Sequence, residues 1–453
     1  MKNMNRLRIL LIGQGCNPEN VSISLVTFLH AAALAQLHDV TLVAQSSVEA
    51  PLRRSKVPFR SIEVVRTPLL DRIYNWGFQW IFKSNYDNQA LTGFKCPFSI
   101  AFEWRAWRQL RRRIRAGEFD VALRLNPTSP AISSPFAFFL RKGPIPFVIG
   151  PLNGGLPSAP GFTQPDKKNF SLRNLYRFMP FSRSTYGYAS AIILAASHMR
   201  TEFAAYSEKL FFIPENGIAR SLCTVDSRNS EHGGKLELIF VGGLVRRKAC
   251  YLGLRGAASL LRNNAAHFTI IGDGPELKNL QELARSLGME KAVDFAGWLD
   301  HAEVLRRLRT ADVVVLPAIR EGGGGVVFEG LACGCVPVIL DYGGPRDIVH
   351  PEVGYKIPAT NEDDVVAQIE SVLSELARDR ELLQRLRRQG MTYARECLTW
   401  EAKAKSTTKV LNWVVGRGPK PDLPPSRMAR VTCVIDPENT GESSVLRDVA
   451  AGV

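Results

Sequence analysis

The sequence predicts an α/β protein built as two doubly wound, Rossmann-like halves facing a central cleft. Three observations lead there. Short, continuously apolar runs rich in Val and Ile alternate with helix-length segments, as buried parallel strands and their crossovers do. Glycine-bearing turns follow those runs directly. The chain has 453 residues, more than one core usually holds, since single cores rarely grow beyond ~250–300 residues. With 45% hydrophobic and 22% charged residues, both halves can bury ample core without a metal or a disulfide framework.

The first half, 1–220, opens at Arg8-Ile-Leu-Leu-Ile-Gly13, turns at Gln14-Gly15, and continues into a helix over Ile23 to Leu37 and a strand over Asp39 to Ala44. This is a βαβ opening. Gly13-x-Gly15 matches the start of a dinucleotide fingerprint, but residue 18 is Pro, so a nicotinamide site is not expected. Further strands are predicted at Val121 to Leu125, Pro146 to Ile149 and Ala191 to Ala195. The second of these leads into Gly150-Pro-Leu-Asn-Gly-Gly-Leu-Pro157, where Asn153 is placed either to bind in a cleft or only to connect elements. Leu210-Phe-Phe-Ile-Pro-Glu-Asn-Gly-Ile218 closes the half, and Asp226 to Lys235 is the linker candidate.

The second half, 221–395, starts at Leu236-Glu-Leu-Ile-Phe-Val-Gly-Gly-Leu-Val-Arg-Arg-Lys248. Strand His267 to Ile271 ends in the turn Gly272-Asp-Gly-Pro-Glu276, an amphipathic helix runs through Leu287, and strand Val293 to Ala296 ends in Gly297-Trp-Leu. Asp341-Tyr-Gly-Gly-Pro-Arg-Asp-Ile-Val349 repeats the strand-turn-helix logic. Helices follow from Asp363 to Arg388 and from Thr399 to Val415, the last (396–415) expected to cross back onto the first half. Residues 416–453 carry Pro, Gly, Ser and charge without periodicity and are expected to form a disordered tail.

The most informative segment is Glu321-Gly-Gly-Gly-Gly-Val-Val-Phe-Glu329. Ala311 to Leu316 reads as a buried strand ended by Pro317, and Val326 to Cys333 as a short helix stopped by Gly334. Gly323, Gly324 and Gly325 therefore sit in a strand-to-helix turn. Glycine lets backbone approach a ligand closely, and free N–H groups at a helix start favour an anion. Glu321 and Glu329 flank that turn, where carboxylates can accept hydrogen bonds from hydroxyl groups. Paired hydroxyls are what a nucleotide-sugar offers.

These residues resemble the E-x7-E motif of retaining GT-B glycosyltransferases of the group 1, family 4 class. The resemblance covers nearly all of the chain except the tail, most firmly Leu236 to Ile357. It implies that Glu321 contacts the donor sugar, that Glu329 holds the ribose hydroxyls, and that Lys248 neutralises the diphosphate. It also implies donor-side roles for Gly272, Gly297 and Trp298, although Trp298 reads equally as a surface aromatic. One departure stands out: the class carries V-G-R-L where this chain has Gly243 in place of the arginine. Arg246 or Arg247 is then the candidate replacement cation. The resemblance also implies that the turn with Gly13 and Gly15 faces the cleft and helps hold donor phosphates or acceptor. Relatives have a histidine where this chain reads Arg124-Leu-Asn-Pro-Thr-Ser-Pro130, so Asn126 or Thr128 is expected to line that site without acting as a base. His30 and His198 are weaker alternatives.

The net charge of +15 requires anionic company. Its sharpest cluster is Trp104-Arg-Ala-Trp-Arg-Gln-Leu-Arg-Arg-Arg-Ile-Arg115. That helix reads as a core-packed element with a solvated arginine face or as one that docks on an anionic membrane surface. No nucleic-acid partner is expected, because no helix-turn-helix, finger or aromatic RNA-binding strand accompanies it. The eight cysteines lack zinc spacing and are expected to be reduced. Neither a signal peptide nor a spanning helix is expected, which suggests a cytoplasmic protein, peripheral to a membrane if the acceptor is lipid-linked.

The implied reaction moves a hexosyl unit from a nucleotide-diphosphate sugar to a glycan or lipid-linked acceptor, with retention and without a metal or other cofactor. Two alternatives stay open at this point. Gly243 suggests a catalytically weak nucleotide-sugar-binding protein, and the charge suggests a basic membrane-surface adaptor.

Overall fold

In the computed structural model, residues 6–20, 22–67, 96–162, 179–223 and 234–423 are described. Strands β1 (Arg8–Gly13), β2 (Asp39–Gln45), β3 (Ser61–Val65), β4 (Val121–Asn126), β5 (Phe147–Leu152), β6 (Ala191–Leu194) and β7 (Leu210–Phe212) form a parallel sheet in the order β3-β2-β1-β4-β5-β6-β7. Strands β8 (Leu236–Val241), β9 (Ala266–Ile271), β10 (Val293–Gly297), β11 (Val313–Leu316), β12 (Val336–Leu340) and β13 (Tyr355–Ile357) form a second, in the order β10-β9-β8-β11-β12-β13. Strand order reverses between β1 and β4 and again between β8 and β11. Each reversal opens a crevice at the carboxyl ends of the strands, where an open α/β sheet binds ligands.

Alternation along β1 shows how one strand serves two layers. Ile9 and Leu11 pack with helix Ile23–Leu37 and helix Trp400–Val414, whereas Leu10 and Ile12 pack with helix Cys96–Arg115. Both faces of the sheet are thus covered, as a parallel sheet requires. The second sheet is enclosed in the same way, with every residue of β11 and β12 buried.

The halves meet through backbone as well as side chains. Ala159 donates its N–H to the Ile319 carbonyl at 2.9 Å, and Tyr342 Oη donates to the Pro157 carbonyl at 3.1 Å. Ser197 gives both its amide (2.7 Å) and its hydroxyl (2.5 Å) to the Asp347 carboxylate. Helix Trp400–Val414 lies on helix Ile23–Leu37, where Thr407 Oγ1 is 2.9 Å from His30 Nε2.

Several expectations need correction. β5 runs on through Leu152, because after a register shift beyond Ile149 the strand pairs with β6 again, Leu152 opposite Leu194. The helical stretch expected to stop near Arg388 continues to Cys397, after a break at Asp379. The break is a cap: Asp379 Oδ1 accepts the Leu382 N–H at 2.8 Å and starts a new helix. Residues 416–423, expected to begin a tail without structure, lie along the first half, with the Leu423 carbonyl accepting the Phe212 N–H at 3.0 Å. The rest of that segment, 424–453, and most of the linker candidate lie outside the described residues. Cys16, Cys96, Cys223, Cys250, Cys333 and Cys335 are buried and outside any disulfide, whereas Cys397 is disulfide-bonded, against the expectation of reduced thiols.

Candidate active site

The turn after β11 carries Glu321 into the crevice between β8 and β11. Its side chain is pinned on both oxygens. Oε1 accepts the N–H groups of Gly323 (3.1 Å) and Gly324 (3.0 Å), and Oε2 meets the Lys248 ammonium in a short ion pair. Burial by itself would raise the Glu321 carboxyl, but Lys248 and the two amides outweigh it and hold the group below the usual range. Gly324 caps helix Gly325–Ala332 at φ +62°, and a Cβ there would lie 2.7 Å from Pro345 Cγ. The loop after β12 braces the turn from below: Gly344 donates its N–H to the Glu321 carbonyl at 3.0 Å, and a Cβ on Gly343 would stand 2.2 Å from that same oxygen.

Lys248 arrives on the turn that follows β8. Gly272, at the end of β9, has φ +137° and approaches so closely that a Cβ would be 2.0 Å from the Gly242 carbonyl oxygen. The Gly272 N–H in turn reaches the Gly297 carbonyl at 2.8 Å, so Gly243, Gly272 and Gly297 lie at one edge of the second half. Gly243 borders open space; a Cβ there would meet only the Asp273 carbonyl, at 3.9 Å. Arg246 is turned away, held by Glu362 at 3.2 Å and stacked on Tyr251 at 4.3 Å. Arg247 contributes its carbonyl, which accepts the Ile319 N–H (2.9 Å) and so ties the Lys248 turn to the strand leading to Glu321. Trp298 stands 78% exposed at the rim.

Glu329, in the second turn of its helix, is paired with His301, whose Nε2 lies 2.9 Å from Oε1. Asn153, after β5, reaches across from the first half: a Cβ on Gly322 would be 3.1 Å from Asn153 Oδ1. The Asn153 amide also donates to the buried Glu215 carboxylate in a short bond, and its backbone N–H donates to the Thr128 carbonyl at 2.9 Å. Asn126 stands at the β1 crevice, its Oδ1 accepting the Gly15 N–H at 3.4 Å. Gly13 instead packs under that turn, with Cys16 Cβ 3.2 Å from where its own Cβ would be. His30 is fully enclosed, with burial driving its pKa well down, and serves packing against Thr407. His198 lies 3.3 Å from the Gly154 carbonyl, on the loop that carries Asn153.

Besides His301, three participants escaped the sequence reading. Glu215, in the turn Ile213-Pro-Glu-Asn-Gly, is buried, and that burial raises its carboxyl against the pull of Asn153 and Lys403. Lys403, on the helix that returns to the first half, gives its ammonium to the Glu215 carbonyl, and burial lowers it to about 7. Asn216 lies against Gly323, where a Cβ would be 2.9 Å from Asn216 Nδ2. A lysine on the apolar stripe of a helix was the available signal; its partner, far away in sequence, was not visible. Among the described residues no group of three or more His, Cys, Asp or Glu side chains is placed to hold a metal ion, and no helix is long and apolar enough to cross a membrane.

Residues 225–392 match the family model of the glycosyl transferases group 1. The chain is 30% identical over 139 residues to an uncharacterized glycosyltransferase of Methanocaldococcus jannaschii, covering 30% of this chain and 36% of that protein. It is 30% identical over 196 residues to glycogen synthase of Mycobacterium tuberculosis, covering 42% of this chain and 46% of that protein. The chain thus spans less than half the length of these curated relatives. HepE of Anabaena, solved in complex with UDP, is similar at a TM-score of 0.60 and 16% identity, over 90% of this chain and 100% of that one. A glycosyltransferase of Rickettsia africae is similar at 0.59 and 12%, over 91% and 100%. At such identities the likeness establishes the fold, which is GT-B: two Rossmann-like domains around a cleft.

Proposed function

We propose that this chain transfers a hexosyl unit from a nucleotide-diphosphate sugar to a hydroxyl of a glycan or lipid-linked acceptor, with retention at the anomeric carbon and no metal cofactor. The observation that carries the reading is the Lys248–Glu321 pair at the β8/β11 crevice, locked by the Gly323 and Gly324 amides. As the glycosidic bond opens, negative charge grows on the leaving phosphate and positive charge on the sugar. A fixed ammonium stabilises the first, and a carboxylate kept ionised in a buried site orients the sugar hydroxyls and stabilises the second. The helix start at Gly325 adds oriented N–H groups for the diphosphate. In this reading the acceptor attacks from the face the phosphate leaves, and the phosphate oxygen takes the acceptor proton, so no separate base is needed. Asn126 and Asn153 line the acceptor side, and the arginine face of helix Cys96–Arg115 rests on anionic lipid when the acceptor is lipid-linked.

Calorimetric titration of UDP, GDP and ADP, with the matching sugars and with or without magnesium, tests the donor site. One nucleotide is expected to bind without metal and to lose ~1–3 kcal/mol in Glu329→Ala, the size of a charge-assisted hydrogen bond. Absence of binding by all of them would sink the proposal. Binding without transfer to any acceptor would favour the weak-binder alternative.

A further inference from the structure

We infer that His301 is a positioning residue that sets recognition of the nucleotide ribose by holding Glu329 in one orientation. The inference rests on the donor-site reading above and adds to it a side chain from a separate βα unit. His301 opens helix His301–Thr310, which follows β10, whereas Glu329 stands on the helix that follows β11. The two meet at the crevice rim with side chains 30% and 24% exposed, so a ligand can reach them.

The chemistry of the contact fixes its polarity. An ionised carboxylate only accepts, so His301 Nε2 must carry the proton and donate it to Glu329 Oε1 across 2.9 Å. Oε2 is thereby left to face a hydroxyl donor. A glutamate on a helix otherwise samples several rotamers, and ordering one of them opposes binding. The imidazole removes that cost before the ligand arrives. The helix that His301 begins is capped by Asp300, whose Oδ1 accepts the Glu303 N–H at 2.8 Å.

The test compares the nucleotide that binds best with its 2′-deoxy and 3′-deoxy forms, titrated into the full chain as wild type, His301→Ala, His301→Gln and Glu329→Ala. The wild type is expected to prefer the ribonucleotide over at least one deoxy form by about tenfold, the scale of one hydrogen bond to a charged group. His301→Ala should erase most of that preference while leaving the deoxy affinity nearly unchanged. His301→Gln, whose amide can donate from a similar position, should restore it. The double variant His301→Ala/Glu329→Ala should lose no more preference than Glu329→Ala alone. Equal weakening of ribo and deoxy forms in His301→Ala, or an unchanged preference, would overturn the inference while leaving the donor site standing. A wild type that binds no nucleotide overturns both.

Discussion

Gly243 leaves the turn after β8 without a cation that the resemblance would place there, and the structure shows that the backbone does not forbid one. Its φ lies outside the left-handed region, and only the Asp273 carbonyl comes within 4 Å of a modest side-chain stub, at 3.9 Å. Neighbouring Gly272 is different, since a Cβ there collides with the Gly242 carbonyl at 2.0 Å. Gly243→Arg is therefore expected to fold normally and to bind the nucleoside diphosphate about tenfold tighter, with the nucleoside alone unaffected, because one charge-assisted contact contributes roughly 1.5–3 kcal/mol. Calorimetry of the diphosphate against the nucleoside decides it; equal affinities before and after would show that Lys248 already satisfies the phosphates or that they lie elsewhere. At this scale the sequence was legible wherever chemistry sat within one turn. Glu321 and the glycines announce themselves by local spacing, whereas Lys248, 73 residues from Glu321, was a candidate only through the resemblance. Glu215 with Lys403, and His301 with Glu329, lie 188 and 28 residues apart, and only the fold brings each pair together.

Elements follow a similar rule, and helix Cys96–Arg115 shows where the rule stops. Its periodicity foretold a buried stripe, and Phe102, Ala106, Leu110 and Ile114 are indeed buried. On a helical wheel Trp104 and Trp107 fall on the same arc as Leu110 and Ile114. Trp107 does stack on Phe139 at 5.1 Å, but Trp104 turns outward, 46% exposed, with Arg108 over its ring at 5.1 Å. Its place is taken by Glu103, fully buried and paired at 2.8 Å with the equally buried Arg124 of β4. Burial of that carboxylate raises its pKa, which Arg124 and the Ser134 hydroxyl oppose. A helical wheel ranks residues by hydrophobicity and so cannot see a buried ion pair displacing an indole. The outcome is an exposed face of Trp104 with Arg105, Arg108, Arg111, Arg112 and Arg115. A tryptophan among arginines suits an anionic interface, where each cation near the surface contributes ~1 kcal/mol. The full chain is expected to float with vesicles containing anionic lipid at low salt and not with zwitterionic ones, and Trp104→Ala with Arg108→Ala should weaken flotation without altering nucleotide binding. Equal flotation of variant and wild type would remove this helix from the membrane reading.

For the whole molecule, the doubly wound architecture was readable because parallel strands declare themselves as apolar runs and turns by their glycines. Strands β3 and β13 were missed because short, half-exposed sequences such as Ser61-Ile-Glu-Val-Val65 lose that contrast. Apart from the crossing of the last helix, how the two domains hold together was not readable, since it depends on contacts such as Ser197 with Asp347, 150 residues apart. That contact is a doubly hydrogen-bonded tie across the cleft. Burial raises the Asp347 carboxyl, while the Ser197 hydroxyl and amide, with Arg346, draw it back. Removing only the hydroxyl leaves the amide to donate, whereas removing the carboxylate leaves both donors without their acceptor. Asp347→Ala is therefore expected to open the cleft more than Ser197→Ala does, seen as a larger radius of gyration by solution scattering. Saturating nucleotide-sugar should bring the larger variant part of the way back. If both variants scatter like the wild type, then the contacts of Ala159 with Ile319 and Tyr342 with Pro157 suffice to keep the domains closed, and donor binding would not depend on the Ser197–Asp347 tie.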